Sequence, residues 1–349
     1  MSVTPVSLFS RCVRSRFRFH VGALLALGAL SSLPLAQAAE RTLTVYTYDS
    51  FASDWGPGPA IKKAFEAECG DCELKFVALD DGVSILNRVR MEGKNSPADV
   101  VLGLDNNLVA DAEKTGLFAP LPAPQTKLTL PGGWNNTHFL PYDYGYFAFV
   151  YNQKRVKTPP QSLHDLVDSQ QPIKVIYQDP RTSTPGLGLL LWMKSVYGDQ
   201  AAEAWQKLAG KTVTVTKGWS EAYGLFLKGE ADMVLSYTTS PMYHLISENN
   251  PDYKAANFAE GHYLQVEVAG QLASSKQPKL AQAFLRFMLT PAFQEQMATS
   301  NWMLPITDVA LPKGFEQVVK PVKALEFSPQ QVEQHRKAWV REWQMAVSR

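Results

Sequence analysis

The sequence predicts an α/β protein of two lobes, each a sheet flanked by helices, joined by two crossing strands. Three observations predict it. Residues 41–107 alternate strand-like and helix-like patterns, which build a parallel sheet with helices on its faces. Residues 163–241 repeat that alternation. Two β-rich stretches, 142–152 and 263–268, stand between and after the two series, where the chain has to pass from one lobe to the other and return. A chain of 349 residues is long enough for two lobes with real cores.

The start reads as an export signal over residues 1–38. Arg11, Arg14, Arg16 and Arg18 form a basic segment without acids, Val21 to Leu30 is apolar, and Ala36-Gln37-Ala38 is a cleavage signal, with Ala38 or Ala39 as the last residue removed. The apolar run is too short for a stable membrane anchor. No cysteine stands after the cleavage region to carry a lipid, so a soluble, exported protein is expected. Cleavage removes four arginines and no acid, taking the formal net charge from +1 to −3. That balance argues against a nucleic-acid partner, which needs a basic face, and is compatible with a cationic ligand.

Arg41 to Tyr48, rich in β-branched and aromatic residues, is the opening strand. A turn-rich loop, 49–59, follows and leads into a helix to about Glu68. Residues 73–79 form a second strand. A helix then carries Ile85, Leu86, Val89 and Met91 at helical spacing, and 99–104 is the third strand. The aromatic run 142–152 is the first crossing. The second lobe holds a helix near 163–167, strand 174–177, a helix capped by Ser183 or Thr184, a helix around 201–209 and strand 212–216. A helix through 225–227, strand 232–237 and another capped helix start at 238–241 complete it. Residues 263–268 return to the first lobe, and helices at 280–289 and from Pro329, capped by Ser328, finish the chain.

Ligands of open α/β sheets sit beyond the carboxyl ends of the strands. Those ends carry Tyr48, Asp49, Asp81, Gly82, Asp105 and Asn106 in the first series. Tyr48, Trp55, Trp219, Tyr237, Tyr243 and Trp302 stand at loop or helix-start positions, where their faces suit flat rings and cations. Asp49, Asp54 and Asp81 suit a positive charge. Ser183 and Thr184 open a helix whose free N–H groups suit an anion or hydroxyl. The implied ligand is a flat cationic heteroaromatic with a polar or phosphorylated tail. No Gly-x-Ser-x-Gly elbow, His-Glu-x-x-His or phosphate-loop lysine motif occurs, and the histidines are dispersed. Tyr46 and Tyr48 share a strand face, but no histidine or adjacent tyrosine pair completes a metal site, so neither metal nor cofactor is expected. Cys69 and Cys72 follow a helix end. They suit a small-loop disulfide better than a redox or nucleophilic centre, which would open a helix after a strand.

Tyr46-Thr47-Tyr48-Asp49-Ser50-Phe51-Ala52-Ser53-Asp54-Trp55-Gly56-Pro57-Gly58-Pro59 closely resembles the opening of the periplasmic thiamine-binding proteins, a branch of the type II periplasmic solute-binding family. Residues 101–107, 179–191, 216–224, 236–241 and 301–303 are similar to the same family, so the resemblance spans the mature chain. It implies the two-lobed type II fold, with 39–143 and 269–349 as one lobe and 144–268 as the other. It implies capture of thiamine and its mono- and diphosphate esters in the periplasm by a monomer. Delivery would be to an ABC permease with its ATPase. It implies ligand contacts at Asp81, Gly82, Ser183, Thr184, Trp219 and Tyr237-Thr238-Thr239-Ser240, with Tyr48, Trp55, Tyr243 and Trp302 around the rings and any phosphate near Ser183 and Thr184. The alternatives are a transferase like thiaminase I, which needs a cysteine nucleophile in the cleft, and a polyamine or ferric-ion receptor.

Overall fold

In the computed structural model, which describes residues 41–348, the chain opens with β1 (Arg41–Tyr48), α1 (Asp49–Ala52) and α2 (Gly58–Cys69). It continues through β2 (Cys72–Leu79), α3 (Gly82–Glu92), β3 (Val100–Asp105) and α4 (Val109–Glu113). β4 (Leu140–Asn152) leads to α5 (Leu163–Asp168), β5 (Val175–Gln178), α6 (Thr184–Tyr197) and α7 (Ala201–Ala209). Next come β6 (Thr212–Thr216), α8 (Trp219–Leu227), β7 (Met233–Tyr237), α9 (Pro241–Ser247) and β8 (Tyr253–Ala255). β9 (His262–Gln271) returns, followed by α10 (Pro278–Phe287), α11 (Pro291–Thr299), β10 (Leu304–Pro305), β11 (Ala324–Leu325) and α12 (Pro329–Val347). The expected export signal lies outside the described residues.

The strand order is β2-β1-β3-β9-β4-β7-β5-β6. β1 pairs with β2 and β3 in parallel, and β5 pairs in parallel with β6 and β7. The antiparallel strands β4 and β9 join these two parallel sets. Residues 140–146 of β4 pair with β9, whereas residues 147–151 pair with β7. β9 runs the other way: the His262 ring lies 5.2 Å from Trp192 of α6, and the strand then pairs with β3. Two sheets flanked by helices and linked by two crossing strands make a two-lobed mixed α/β fold. Every residue of β9 is buried, as a central strand covered on both faces requires.

α6 is apolar all round and buried from Thr184 to Met193, the pattern of a helix enclosed by its neighbours. Its Gly188 permits that enclosure, because a Cβ there would lie 1.9 Å from the Phe147 ring. α12 begins with a capping box between Ser328 and Gln331. It packs on helices of both parallel series. Arg336 of α12 and Arg90 of α3 flank Asp111 of α4, and Lys194 of α6 meets Glu342 at 3.1 Å. Trp343 donates to the Tyr177 hydroxyl at 3.2 Å.

The loop expected at 49–59 contains α1, a single turn whose Phe51 is fully buried. Met91, read as part of the apolar face of α3, is 87% exposed; the buried face is made by Val83, Ile85, Leu86 and Val89. α4, α11, β8, β10 and β11 are elements the sequence analysis did not separate from loops.

Candidate functional site

The carboxyl end of β1 and the starts of α3, α6, α8 and α9 converge with β9 and the segment after α11 around one cavity of about 510 Å³. Tyr48, Trp55, Trp219, Tyr237, Tyr243 and Trp302 all line it. Trp55 is 60% exposed at the rim, with its ring 6.4 Å from that of Trp219. Trp219 stacks on Tyr223 at 4.8 Å and donates its Nε1–H to Ser236 Oγ at 2.8 Å, which fixes the plane of the indole. Tyr243 and Trp302 meet edge to face at 5.7 Å. Trp302 has φ 57°, a left-handed conformation that is strained for a bulky residue and holds the ring at the cavity.

Asp81 is the N-cap of α3 and is buried at the meeting of the lobes. Its carboxylate accepts from Gly82 N at 2.7 Å, Ser183 Oγ at 2.8 Å and Thr184 Oγ1 at 3.0 Å. Thr184 N and Trp219 N donate to it, each at 3.3 Å. Burial pushes the Asp81 carboxyl upward and these hydrogen bonds oppose the shift. Three contacts reinforce the junction: Ser84 N donates to Thr182 O at 2.9 Å, Asn87 Nδ2 to Arg181 O at 3.3 Å, and Ser220 Oγ to Asp49 Oδ1 at 2.8 Å. Gly82 makes the approach feasible, since a Cβ there would lie 2.3 Å from Gly103 O and 2.5 Å from the Thr184 methyl.

The α6 start therefore receives an anion from within the protein: Asp81 fills the place where a ligand anion or hydroxyl was expected. Asp81, Thr184 and Ser240 line the cavity, whereas Gly82, Ser183, Thr238 and Thr239 do not. Ser183 is spent on Asp81 and on capping α6 through Gly186 N. Ser240 bonds Ser236 at 2.7 Å, and the hydroxyls of Thr238 and Thr239 are buried without partners. Tyr46, on the same face of β1 as Tyr48, turns its hydroxyl to Glu92, outside the cavity. Asp54 is exposed and does not line it.

Sequence reasoning missed the floor. Glu267 of β9 lines the cavity and accepts from Tyr48 OH at 2.9 Å and Tyr142 OH at 3.0 Å. Asn301 donates to Asp143 Oδ2 at 2.7 Å and to Tyr48 OH at 3.1 Å. Burial raises the Glu267 carboxyl to about 7 and lifts Asp143 well above the usual carboxylate range, with Glu267 beside it adding to the shift. Burial and the nearby Glu267 charge also hold Tyr48, Tyr142 and Tyr237 well above the ordinary phenol range, so they stay neutral donors.

Asp49, Asp80, Asp81 and Glu267 line the cavity, and no lysine, arginine or histidine of the described residues does. An acid-lined pocket with aromatic walls is suited to a flat cation, which gains from both the carboxylate field and the ring faces. Cys69 and Cys72 are joined as a disulfide between α2 and β2, and neither lines the cavity.

The family model described as "Bacterial extracellular solute-binding protein" matches residues 56–295. The "Thiamine-binding periplasmic protein" of Escherichia coli (strain K12) is 68% identical over 89% of this chain and 95% of its own. A solved structure, "Periplasmic thiamin binding protein", superimposes with a TM-score of 0.87 at 66% identity, covering 90% of this chain and 99% of the other. The "Ferric binding protein from Campylobacter jejuni" shares the fold, with a TM-score of 0.71 at 18% identity over 87% of this chain and 99% of its own. The chain belongs to the bacterial extracellular solute-binding protein family, in the branch of the periplasmic thiamine-binding proteins.

Proposed function

We propose that this protein captures thiamine in the cleft between its lobes and hands it to an importer. The observation that carries the reading is the cavity itself: seven aromatic side chains and four carboxylates, with no basic residue among the described residues that line it. Thiamine is a cation with two flat heteroaromatic rings, and both features find partners there. Tyr48, Trp55, Trp219, Tyr237, Tyr243 and Trp302 would hold the rings, and Asp49 and Glu267 the charge. The names of the relatives support the same ligand and a periplasmic location.

The phosphate esters belong to this proposal. A phosphate would compete with Asp81 for Ser183, Thr184 and the first N–H groups of α6. The partner is an inner-membrane permease with its ATPase, and the protein acts as a monomer. The lobes are assigned as 39–143 with 269–349, and 144–268. Ligand is released unchanged, because the cysteine nucleophile a thiaminase-like reaction needs is not at the cleft.

The test is to mix mature protein with thiamine, follow tryptophan fluorescence and then recover the ligand after denaturation. Saturable quenching with intact thiamine recovered is expected. Cleaved thiamine would replace the receptor reading with the transferase.

A further inference from the structure

We propose that Asp143 and Glu267 share one proton at the floor of the cleft and release it when a cationic ligand settles over Glu267. Ligand capture and proton release would then be a single event. The proposal rests on the thiamine reading for the identity of the cation.

Asp143 and Glu267 are directly opposite one another across the β4–β9 pair. Two carboxylates in that position repel, and one proton between them removes the repulsion. Hydrogen bonding assigns the proton. Glu267 Oε2 receives donors from Tyr48, Tyr142 and, at 3.5 Å, Asn301, which marks Glu267 as the ionised partner. Asp143 Oδ2 takes Asn301 Nδ2, but Asp143 Oδ1 is buried and no N–H or O–H reaches it. A carboxyl oxygen in that state is satisfied by carrying the proton and donating it to Glu267.

The surroundings keep the proton in place while the cleft is empty. Tyr48 from β1, Tyr142 from β4 and Tyr237 from β7 face the pair as neutral phenols. Asp81, at the start of α3, adds negative potential to Glu267, and Asp105 of β3, raised mainly by its own burial, is pushed further up by the Glu267 charge. No basic side chain of the described residues lines the cavity to offset them. Glu267 reaches the cavity, whereas Asp143 is fully buried behind it. A ligand cation over Glu267 supplies the missing positive charge, so the pair goes from one negative charge to two as one proton leaves. Charge balances: one cation enters and one proton departs.

Calorimetric titration of the mature protein with thiamine near pH 7, in phosphate, HEPES and Tris, reads the proton directly. The observed enthalpy should vary linearly with buffer ionisation enthalpy, with a slope of roughly 0.5–1 proton released, and affinity should fall up to about tenfold per pH unit on the acid side. Asp143→Asn, which removes the shared proton and leaves only Glu267 to titrate, should bind with a clearly smaller slope. A zero slope across about pH 6–8 in the native protein, with thiamine bound, overturns this proposal alone. An undiminished slope in folded Asp143→Asn overturns it too, and the native protein's slope decides if that variant fails to fold. Absence of any thiamine binding overturns the functional reading, and this proposal with it.

Discussion

Asp81 and Ser183 meet across the lobe junction, with Ser183 Oγ donating to Asp81 Oδ2 at 2.8 Å. The contact joins the N-cap of α3 to the N-cap of α6, so two helix starts share one carboxylate. Asp81→Ala leaves Ser183, Thr184 and the Trp219 amide without their acceptor. Loss of a buried acceptor of this kind costs about 1–3 kcal/mol. The variant should melt at lower temperature and give a larger radius of gyration by small-angle scattering. An unchanged envelope would mean that the junction holds without Asp81.

Ser183→Ala with Thr184→Ala removes the α6 cap as well, at about 1 kcal/mol of stability. If a phosphate displaces Asp81 from these hydroxyls, the double variant should weaken thiamine monophosphate more than thiamine, on the order of tenfold per charge-assisted bond lost. Equal losses would show that the pair acts on closure and does not read the phosphate.

Trp219→Ala should weaken thiamine by more than about 1 kcal/mol, since the indole is half-buried at the cavity and held by both Ser236 and Tyr223. Measurement well below the melting transition separates this loss from unfolding. A folded variant with native affinity would remove Trp219 from the site.

Burial raises Glu267 and Asp105 each to about 7, and holds Asp143, which carries the proton shared with Glu267, well above the usual carboxylate range; unfolded values lie near 4. Between those limits these carboxyls hold more protons in the folded protein than in the unfolded chain, so they raise stability as pH falls from about 7.5 to 5. The imidazoles of His244 and His262, lowered by burial, oppose part of that rise below about pH 6.5. Below about pH 4 the trend reverses, because Glu66, Glu92 and Asp168 have lowered carboxyls whose contribution is lost on protonation. Denaturant unfolding across this range checks the sign, and Asp105→Asn should flatten the slope.

Much of the framework was legible because strand ends and helix starts carry local signals. Ser183 before Pro185 marked α6, and the β-branched runs marked β1 and β6. α1 was hidden because Asp49-Ser50-Phe51-Ala52 reads as a turn until Phe51 is packed into the core. The aromatic walls were legible from their loop positions, but the floor was not. Glu267 sits within the run 263–268, read only as a crossing, and its role depends on Asp143 lying opposite it, which is a matter of register. A charged residue inside a fully buried strand was the available signal. That Asp81 occupies the α6 start was beyond the sequence, because two helix starts 102 residues apart meet only when the lobes do.

A calorimetric series on the mature protein with thiamine, a polyamine and ferric ion tests thiamine capture most directly. One saturable thiamine site per chain is expected, weakened by more than about 1 kcal/mol in Trp219→Ala, with neither competitor displacing thiamine at equal concentration. Tight binding of the polyamine or of ferric ion with no heat from thiamine would contradict it.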